Sequence, residues 1–288
     1  MKDINLEPYI SDTKDNLERV TQKLISSADF ESFMDFIKSD TCKKIVTLIW
    51  WSQISWSLSP FIHSYSSFLN QNPFLYVLFN MLKENTNLKE VLDFISQNED
   101  ILWSNVTMPY KVDVFEILKN LWSLDNSAKL VWAVNTLAKV NWKIRWFNTD
   151  MYWIINPIKE KLGDWLKEVK KWYVMWAWWA SRAAVAALLT LGINDITIFN
   201  RTDSNMITLA NHFNSMGVKD ILKEDWKQDF FIRMVEYDVS YDQKSNISEY
   251  LSDEKWILIN TLPFWFKPHL PQYPIRVDEI TNVFSNIS

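Results

Sequence analysis

The second half of the sequence alternates short apolar runs with amphipathic segments. The apolar runs "WYVM", "DITIFNR", "DFFIRMV" and "WILINTLP" are typical of strands, and "SRAAVAALLTLG" and "DSNMITLANHFNSMG" lie between them with helical spacing. Strands that alternate with helices indicate parallel pairing, because a parallel connection needs a crossover of about a dozen residues or more. We therefore predict an α/β protein with a Rossmann-type, doubly wound nucleotide-binding domain over residues 151–288.

The first half carries the same two kinds of pattern in a less regular order. The runs "KKIVTLI" and "FLYVLFNM" predict buried strands, and "NLKEVLDFISQNE" predicts an amphipathic helix. A hairpin is expected in "VWAVNTLAKVNWKIRWFNTD", with "NW" at the turn where "NG" is the strongest signal. Ser59 precedes Pro60 and is expected to cap a helix. We predict an α/β domain over residues 45–150, after a helical extension of unknown role over residues 1–44.

Composition narrows the class of protein. The 288 residues carry a net charge of −5, which argues against nucleic acid or an anionic membrane as the main partner. Cys42 is the single cysteine, so an intramolecular disulfide and a Cys-based zinc site are excluded, and no metal is expected. Although residues 173–193 are apolar enough to suggest a membrane span, they fit a strand and helix better. We expect a cytoplasmic monomer or homodimer.

Two residue counts are abnormal. The sequence contains 3 glycines and 17 tryptophans, whereas about 7% glycine, or roughly 20 residues, is usual for this length. The glycine deficit therefore matches the number of tryptophans.

Six motifs occur along the chain in a characteristic order: "SLSPFIH", "NVTMPYK", "VWAVNT", "FNTD", "WAWWASRA" and "NRT". In this order and spacing the chain resembles the shikimate dehydrogenase family, over roughly residues 45–268. The resemblance implies a substrate-binding domain followed by an NADP-binding Rossmann-like domain. The implied activity is the reversible reduction of 3-dehydroshikimate to shikimate with NADPH, in chorismate and aromatic amino-acid biosynthesis.

The tryptophans differ from the family pattern in one consistent way. Family glycines align with Trp51, Trp103, Trp132, Trp146, Trp153, Trp176, Trp178, Trp179 and Trp265. Trp142 falls at the predicted hairpin turn, and Trp172 and Trp226 fall in polar, turn-like surroundings. We hypothesise that these tryptophans represent UGA codons, which encode glycine in some bacterial lineages. Random mutation would not spare the aspartates, lysines and asparagines beside them.

The resemblance also implies the residues of a substrate site. Lys111 and Asp150 match the catalytic pair, a proton donor near the carbonyl and the carboxylate that holds it. The remaining matches bind the substrate carboxylate (Ser57 and Ser59) and the ring hydroxyls (Thr107 and Asn135). His63 matches a family histidine that we expect to be structural.

The resemblance places the cofactor in the second domain. Glycine at the tryptophan positions would turn "VMWAWWASRA" into "VMGAGGASRA", a phosphate-binding turn that leads into a helix. The implied cofactor residues are Trp176, Trp178, Trp179, Ala180, Ser181, Asn200, Arg201 and Thr202. Arg201 suits the 2′-phosphate of NADP, where an acidic residue would instead bind the 2′-hydroxyl of NAD.

Two alternatives stay open at this point. A quinate or quinate/shikimate dehydrogenase shares the motifs and differs in a few pocket residues. An inactive binding or regulatory module is favoured by a second departure, since the sequence stops at Ser288, before the C-terminal helix and substrate-binding glutamine usual in the family. The retained Lys111 and Asp150 oppose that alternative.

Overall fold

A computed structural model describes residues 4–39, 44–50, 57–81, 87–120, 123–141, 143–175, 179–200, 202–215, 218–221, 230–236 and 254–261. The chain divides into two compact units, Met1–Thr149 and Asp150–Ser288. Each unit contains its own sheet, and each is described by itself.

The first unit is built on a five-stranded mixed sheet. Its strands are β1 (Lys44–Trp50), β2 (Phe74–Asn80), β3 (Ile101–Val106), β4 (Thr136–Val140) and β5 (Lys143–Phe147), in the order β2-β1-β3-β4-β5. The first three strands are parallel, whereas β3–β4 and β4–β5 are antiparallel. Its helices are α1 (Glu7–Thr21), α2 (Ser27–Lys38), α3 (Ser59–Leu69), α4 (Leu88–Gln97), α5 (Lys111–Leu118) and α6 (Asn126–Val131). The strands and hairpin predicted in this half are confirmed.

The two N-terminal helices pack into the core of the first unit. Tyr9 of α1 stacks on Phe79 of β2 with ring centroids 4.7 Å apart. Phe33 of α2 is fully buried and meets Tyr65 of α3 edge-on at 5.3 Å. Burying a large aromatic side chain contributes about 1.5–3 kcal/mol, so residues of the 1–44 segment take part in holding this unit together.

Helix α3 covers the free edge of the sheet. Strand β2 is an edge strand, and its outward N–H groups would otherwise lack partners. Ser67 Oγ accepts from the N–H of Phe74 at 2.9 Å, and Ser64 Oγ accepts from the N–H of Tyr76 at 3.0 Å. These serines lie three residues apart on one helical face, which matches the two-residue spacing of the outward-facing N–H groups.

The second unit has a parallel sheet in the order β8-β7-β6-β9. Its strands are β6 (Lys171–Met175), β7 (Asp195–Asn200), β8 (Phe231–Glu236) and β9 (Trp256–Asn260). Its helices are α7 (Asp150–Leu162), α8 (Trp179–Thr190), α9 (Asp203–Ser215) and α10 (Val218–Ile221), with a 3-10 helix at Gly163–Glu168. In sequence order this is the 3-2-1-4 arrangement of a doubly wound nucleotide-binding unit, which confirms the predicted fold class.

Two details of the second unit correct or refine the sequence interpretation. Trp172 does not lie in a turn, because it is the second residue of β6 and is 2% exposed. The apolar stretch at residues 173–193 is divided between β6 and α8. Among the described residues, no helix has both the length and the apolar character needed to cross a membrane.

Candidate active site

The carboxyl ends of β1 and β3 lie side by side, and backbone hydrogen bonds join the loops that follow them. The N–H of Thr107 donates to the carbonyl of Ile49 at 3.1 Å, and the N–H of Val106 donates to the carbonyl of Asn135 at 2.8 Å. The carbonyl of Lys111 accepts from the N–H of Val134 at 2.8 Å. These backbone hydrogen bonds therefore bring three predicted site residues together at the carboxyl ends of β1 and β3: Thr107, Lys111 and Asn135.

The two predicted catalytic residues each begin a helix. Lys111 is the first residue of α5 and is half-buried in the first unit. Asp150 is the first residue of α7 and belongs to the second unit. A carboxylate in the first turn of a helix is stabilised by the positive end of the helix dipole, so Asp150 suits its position as an anion.

Asn135 is the most tightly held of the predicted substrate residues. Its side-chain oxygen accepts from the backbone N–H of Thr149 at 2.9 Å, from the Thr149 hydroxyl at 3.2 Å and from the Thr136 hydroxyl at 2.9 Å. Because a backbone N–H can only donate, these contacts fix which end of the amide is the oxygen. Asn135 is 6% exposed, and its NH₂ group is the donor end of the amide.

The two predicted carboxylate-binding serines lie at the start of α3. Leu58 occupies the N-cap, and no side chain in the described part of the chain caps this helix. The prediction that Ser59 is the N-cap is therefore wrong: the helix already begins at Ser59, because Pro60 is accommodated within its first turn. Ser57 Oγ accepts from the Ser59 N–H at 3.3 Å, which ties the two serines together.

Several residues of this region were not predicted from the sequence. Asn148 is fully buried, and its amide donates to the carbonyl of Ala133 at 3.1 Å, which fixes the segment that leads to Asp150. Asn105 and Tyr76 form hydrogen bonds across the sheet towards Asn135. Asn105 lies in the motif "NVT" and Asn148 in the motif "FNTD", so both could have been found from the sequence. Tyr76 lies in no such motif.

His63 packs as a structural histidine. Its ring stacks on Tyr76 at 4.6 Å with an interplanar angle of 11°. Burial lowers the pKa of His63 from its ordinary value, because a charged imidazolium is poorly solvated there. A neutral, stacked ring is consistent with the structural role expected from the sequence.

The described members of the predicted cofactor residues flank the carboxyl ends of β6 and β7. Strand β6 ends at Met175 and α8 begins at Trp179, so the intervening residues follow the first strand of the 3-2-1-4 sheet. Ala180 is exposed in the first turn of α8, while Ser181 is buried. Backbone N–H groups at such a helix start favour phosphate. Trp176 and Trp178 lie outside the described residues.

The second strand of the same unit ends at Asn200, whose side-chain amide donates to the carbonyl of Thr202 at 2.8 Å. This bond lies at the carboxyl end of β7, where a dinucleotide fold meets the ribose. Thr202 is exposed, and Arg201 lies outside the described residues. Among the residues that the structure describes, no cluster of His, Cys, Asp or Glu could hold a metal ion.

The described residues of this unit are compatible with a bound dinucleotide, whereas tryptophan at positions 176, 178 and 179 is not. Strand order, a helix start after β6 and the small side chain of Ala180 suit a pyrophosphate. A close backbone approach to phosphate needs glycine, and an indole at positions 176, 178 and 179 would occupy that space. The fit therefore depends on which residue these positions carry.

A tryptophan elsewhere has backbone angles that favour glycine. Trp132 follows α6 as its C-cap with φ 57° and ψ 37°, in the left-handed region. Both glycines with described backbones, Gly163 and Gly192, also have positive φ, at 49° and 79°. Left-handed angles cost an L-residue about 1–2 kcal/mol, so the backbone at Trp132 is that of a glycine position.

Comparisons with known proteins match both halves of this description. The family profile described as the shikimate dehydrogenase substrate binding domain matches residues 49–137. Shikimate dehydrogenase (NADP(+)) from Saccharolobus solfataricus is 32% identical over 174 residues, which is 60% of this chain and 59% of that protein. The chain thus spans less than two thirds of that relative.

Two further relatives cover more of the chain. Shikimate dehydrogenase (NADP(+)) from Caldicellulosiruptor bescii is 27% identical over 224 residues, covering 77% of this chain and 70% of that protein. The crystal structure of shikimate 5-dehydrogenase from Listeria monocytogenes, in complex with shikimate and NAD, superposes with a TM-score of 0.62 at 25% identity. That superposition covers 84% of this chain and 76% of the other.

Proposed function

We propose that this chain is a shikimate dehydrogenase, as its similarity to that family suggests, and that it catalyses the reversible, NADPH-dependent reduction of 3-dehydroshikimate to shikimate. The observation that carries the proposal is the backbone network that brings Thr107, Lys111 and Asn135 to one edge of the first sheet. These three residues lie within the matched substrate-binding domain. They are the residue types that a polar, hydroxylated ring with a reactive carbonyl requires.

The reaction adds a hydride to the carbonyl carbon and a proton to the carbonyl oxygen. We assign the proton to the Lys111 ammonium, which can donate it or stabilise the developing alkoxide. Asp150 would hold that ammonium and a neighbouring substrate hydroxyl.

Substrate orientation follows from neutral hydrogen-bond donors. Ser57 and Ser59 would donate to the carboxylate without adding a competing charge. Thr107 and the NH₂ group of Asn135 would contact ring hydroxyls, and buried donors of this kind reject analogues that lack the hydroxyl. The Asn135 oxygen already accepts hydrogen bonds from Thr149 and Thr136, which hold the amide in one orientation.

The cofactor is NADP(H) in this proposal, and it supplies the hydride when bound. Ala180 and Ser181 would lie beside the pyrophosphate at the start of α8, together with glycine at positions 176, 178 and 179. Asn200, Arg201 and Thr202 would surround the adenosine ribose, with Arg201 on the 2′-phosphate. The two named relatives from S. solfataricus and C. bescii are NADP(+) enzymes, which supports this choice.

The test is steady-state reduction of 3-dehydroshikimate by the chain with glycine at positions 176, 178 and 179. Lys111→Met should lower kcat by about 10²- to 10⁴-fold, because the proton donor is lost. Lys119→Met is the matched control, since Lys119 is the C-cap at the opposite end of α5 and forms an exposed 2.6 Å ion pair with Glu116. Equal turnover by the Lys111 variant and its control would refute the assignment.

A further inference from the structure

We propose that the N-terminal helices serve substrate binding: Phe33 of α2 acts through Tyr65 and Phe61 to position the start of α3, where Ser57 and Ser59 lie. The inference rests on the proposed function, in which these two serines bind the substrate carboxylate. Phe33 and Tyr65 are positioning residues, because they act on the substrate through the serines. The aromatic cluster is the name used below for the rings of Phe33, Phe36, Phe61, Tyr65 and Phe68.

Helix α3 turns one of its faces to the N-terminal helices. Phe61, Tyr65 and Phe68 are spaced four and three residues apart, so they share that face. On a neighbouring face, Ser64 and Ser67 accept hydrogen bonds from N–H groups of β2. These two serines hold the middle and the last turn of α3. This leaves the first turn to be held through the aromatic face.

A series of ring contacts leads from α2 to the first turn of α3. Phe33 meets Tyr65 edge-on, with ring centroids 5.3 Å apart and an interplanar angle of 88°. Tyr65 in turn stacks on Phe61, with centroids 5.3 Å apart and an angle of 13°. Phe61 is the third residue of α3 and follows Ser59 by two positions. Loss of the Phe33 ring would therefore loosen the packing nearest to the serines.

Phe33 is a suitable fixed point because α2 is itself anchored. Phe33 and Ile37 are fully buried in the core of the first unit. Ser26 caps the helix by accepting from the N–H of Asp29 at 3.3 Å. Phe33 also meets Phe68 at a centroid distance of 5.7 Å, so it contacts two successive positions on the aromatic face of α3.

The start of α3 depends on such support, because no side chain in the described part of the chain caps this helix. Ser57 Oγ accepts from the Ser59 N–H at 3.3 Å. A hydroxyl has one proton to donate, and this bond does not use the proton of Ser57. Two hydroxyls can meet the two oxygens of one carboxylate only if their positions are fixed. A displaced first turn would change that geometry.

Loss of the Phe33 ring should affect carboxylate binding selectively. We expect Phe33→Leu, which keeps most of the apolar volume, to weaken shikimate binding about 5- to 30-fold. Complete loss of a hydrogen bond to a charged group costs about 10- to 200-fold, and a displaced donor loses part of that. The methyl ester of shikimate should bind the variant and the parent with equal affinity, because it lacks the charge that the serines bind.

The experiment is calorimetric titration of shikimate and methyl shikimate into the full chain and its variants. Phe33→Leu should show the loss for shikimate alone. Tyr9→Leu is the matched control and should bind like the parent, since it removes another buried ring of the N-terminal helices, one that stacks on Phe79 of β2. Tyr65→Leu should reproduce the loss, whereas Tyr65→Phe, which keeps the ring, should bind like the parent.

A thermodynamic cycle separates positioning from a general loss of stability. In a chain that carries Ser57→Ala and Ser59→Ala, Phe33→Leu should cause no further loss of shikimate affinity, because the groups that it positions are already absent. Three results would overturn the proposal: an additive loss in that chain, an equal loss for methyl shikimate, or unchanged shikimate affinity in Phe33→Leu.

If the parent chain does not bind shikimate at all, the proposed function fails, and amide hydrogen exchange decides the positioning role. The N–H of Ile62 donates to the carbonyl of Leu58 at 2.8 Å and closes the first turn of α3. Its exchange should be faster in Phe33→Leu than in Tyr9→Leu, because only the first variant loosens that turn. Equal exchange rates in the two variants would also overturn the proposal.

Discussion

The two units of the protein agree with the family pattern to different degrees. In the first unit, polar side chains of the candidate site are present and form hydrogen bonds. The side-chain oxygen of Asn135 accepts three of them. In the second unit the strand order and the start of α8 are those of a nucleotide-binding fold, but tryptophan occupies the glycine positions of the turn. Loss of function would erode polar residues as well. We therefore propose that a change limited to glycine positions has its origin in the genetic code.

The described tryptophans support this distinction. Trp132 has left-handed angles, Trp146 is 3% exposed and Trp153 is 77% exposed. These positions share no environment that would select for an indole, and they share only their alignment with family glycines. We propose that UGA encodes glycine at these positions in the source organism. UGG codons there would contradict this.

The largest expected effect concerns the turn after β6. Replacing Trp176, Trp178 and Trp179 with glycine should tighten NADPH binding by about 100-fold or more, because the backbone can then approach the pyrophosphate. Fluorescence titration with NADPH measures this. Trp153→Gly is the matched control, since this exposed family-glycine position on α7 lies outside the turn. Equal affinity for NADPH in the triple variant and the control would show that tryptophan at these positions does not impair the second unit. The two units would then no longer differ in their agreement with the family pattern.

A smaller effect tests the donor role of Asn135. Asn135→Asp keeps the oxygens that accept from Thr136 and Thr149, but it loses both N–H donors and adds a negative charge. We expect shikimate to bind about 10- to 200-fold more weakly, as for a hydrogen bond to a charged group. Asn87→Asp is the control, because Asn87 caps α4 and aspartate caps equally well. Unchanged binding by Asn135→Asp would show that no substrate acceptor meets this amide.

The smallest effect is on stability. At position 132 the glycine variant should be more stable than the alanine variant by about 1 kcal/mol, the reverse of the usual order in a helix. Both variants lose the same ring contact with Phe115, so their difference isolates the cost of positive φ. Urea denaturation of the two proteins measures it. Alanine at least as stable as glycine would show that the left-handed backbone imposes no preference.

Much of the fold could be predicted from the sequence because its periodicities are local. Strands such as β1 and β2 are continuous apolar runs, and β6 to β9 alternate with helical patterns, so their order implied parallel pairing. The two positions that were predicted wrongly depend on their surroundings in the folded chain, which a local sequence pattern does not contain. Ser59 was expected to cap α3, but the helix begins at that residue. Trp172 was expected in a turn, but it is buried in β6.

The candidate site was predicted in part. Motifs predicted Lys111, Asn135 and Asp150, because each lies in a stretch that resembles the family pattern. The hydrogen bonds that join Tyr76, Asn105 and Thr136 could not be predicted from the sequence, since Tyr76 and Asn105 are separated by 29 residues and Asn105 and Thr136 by 31. Such contacts depend on strand register across the sheet, and a shift of one residue would turn every side chain to the other face.

Turnover tests the central claim most directly. The chain with glycine at the aligned tryptophan positions should reduce 3-dehydroshikimate with NADPH, and the chain with tryptophan there should not. The assay follows NADPH consumption, with shikimate identified as the product. A glycine-bearing chain that folds and binds both shikimate and NADPH without turnover would contradict the account and favour a binding module on the same fold.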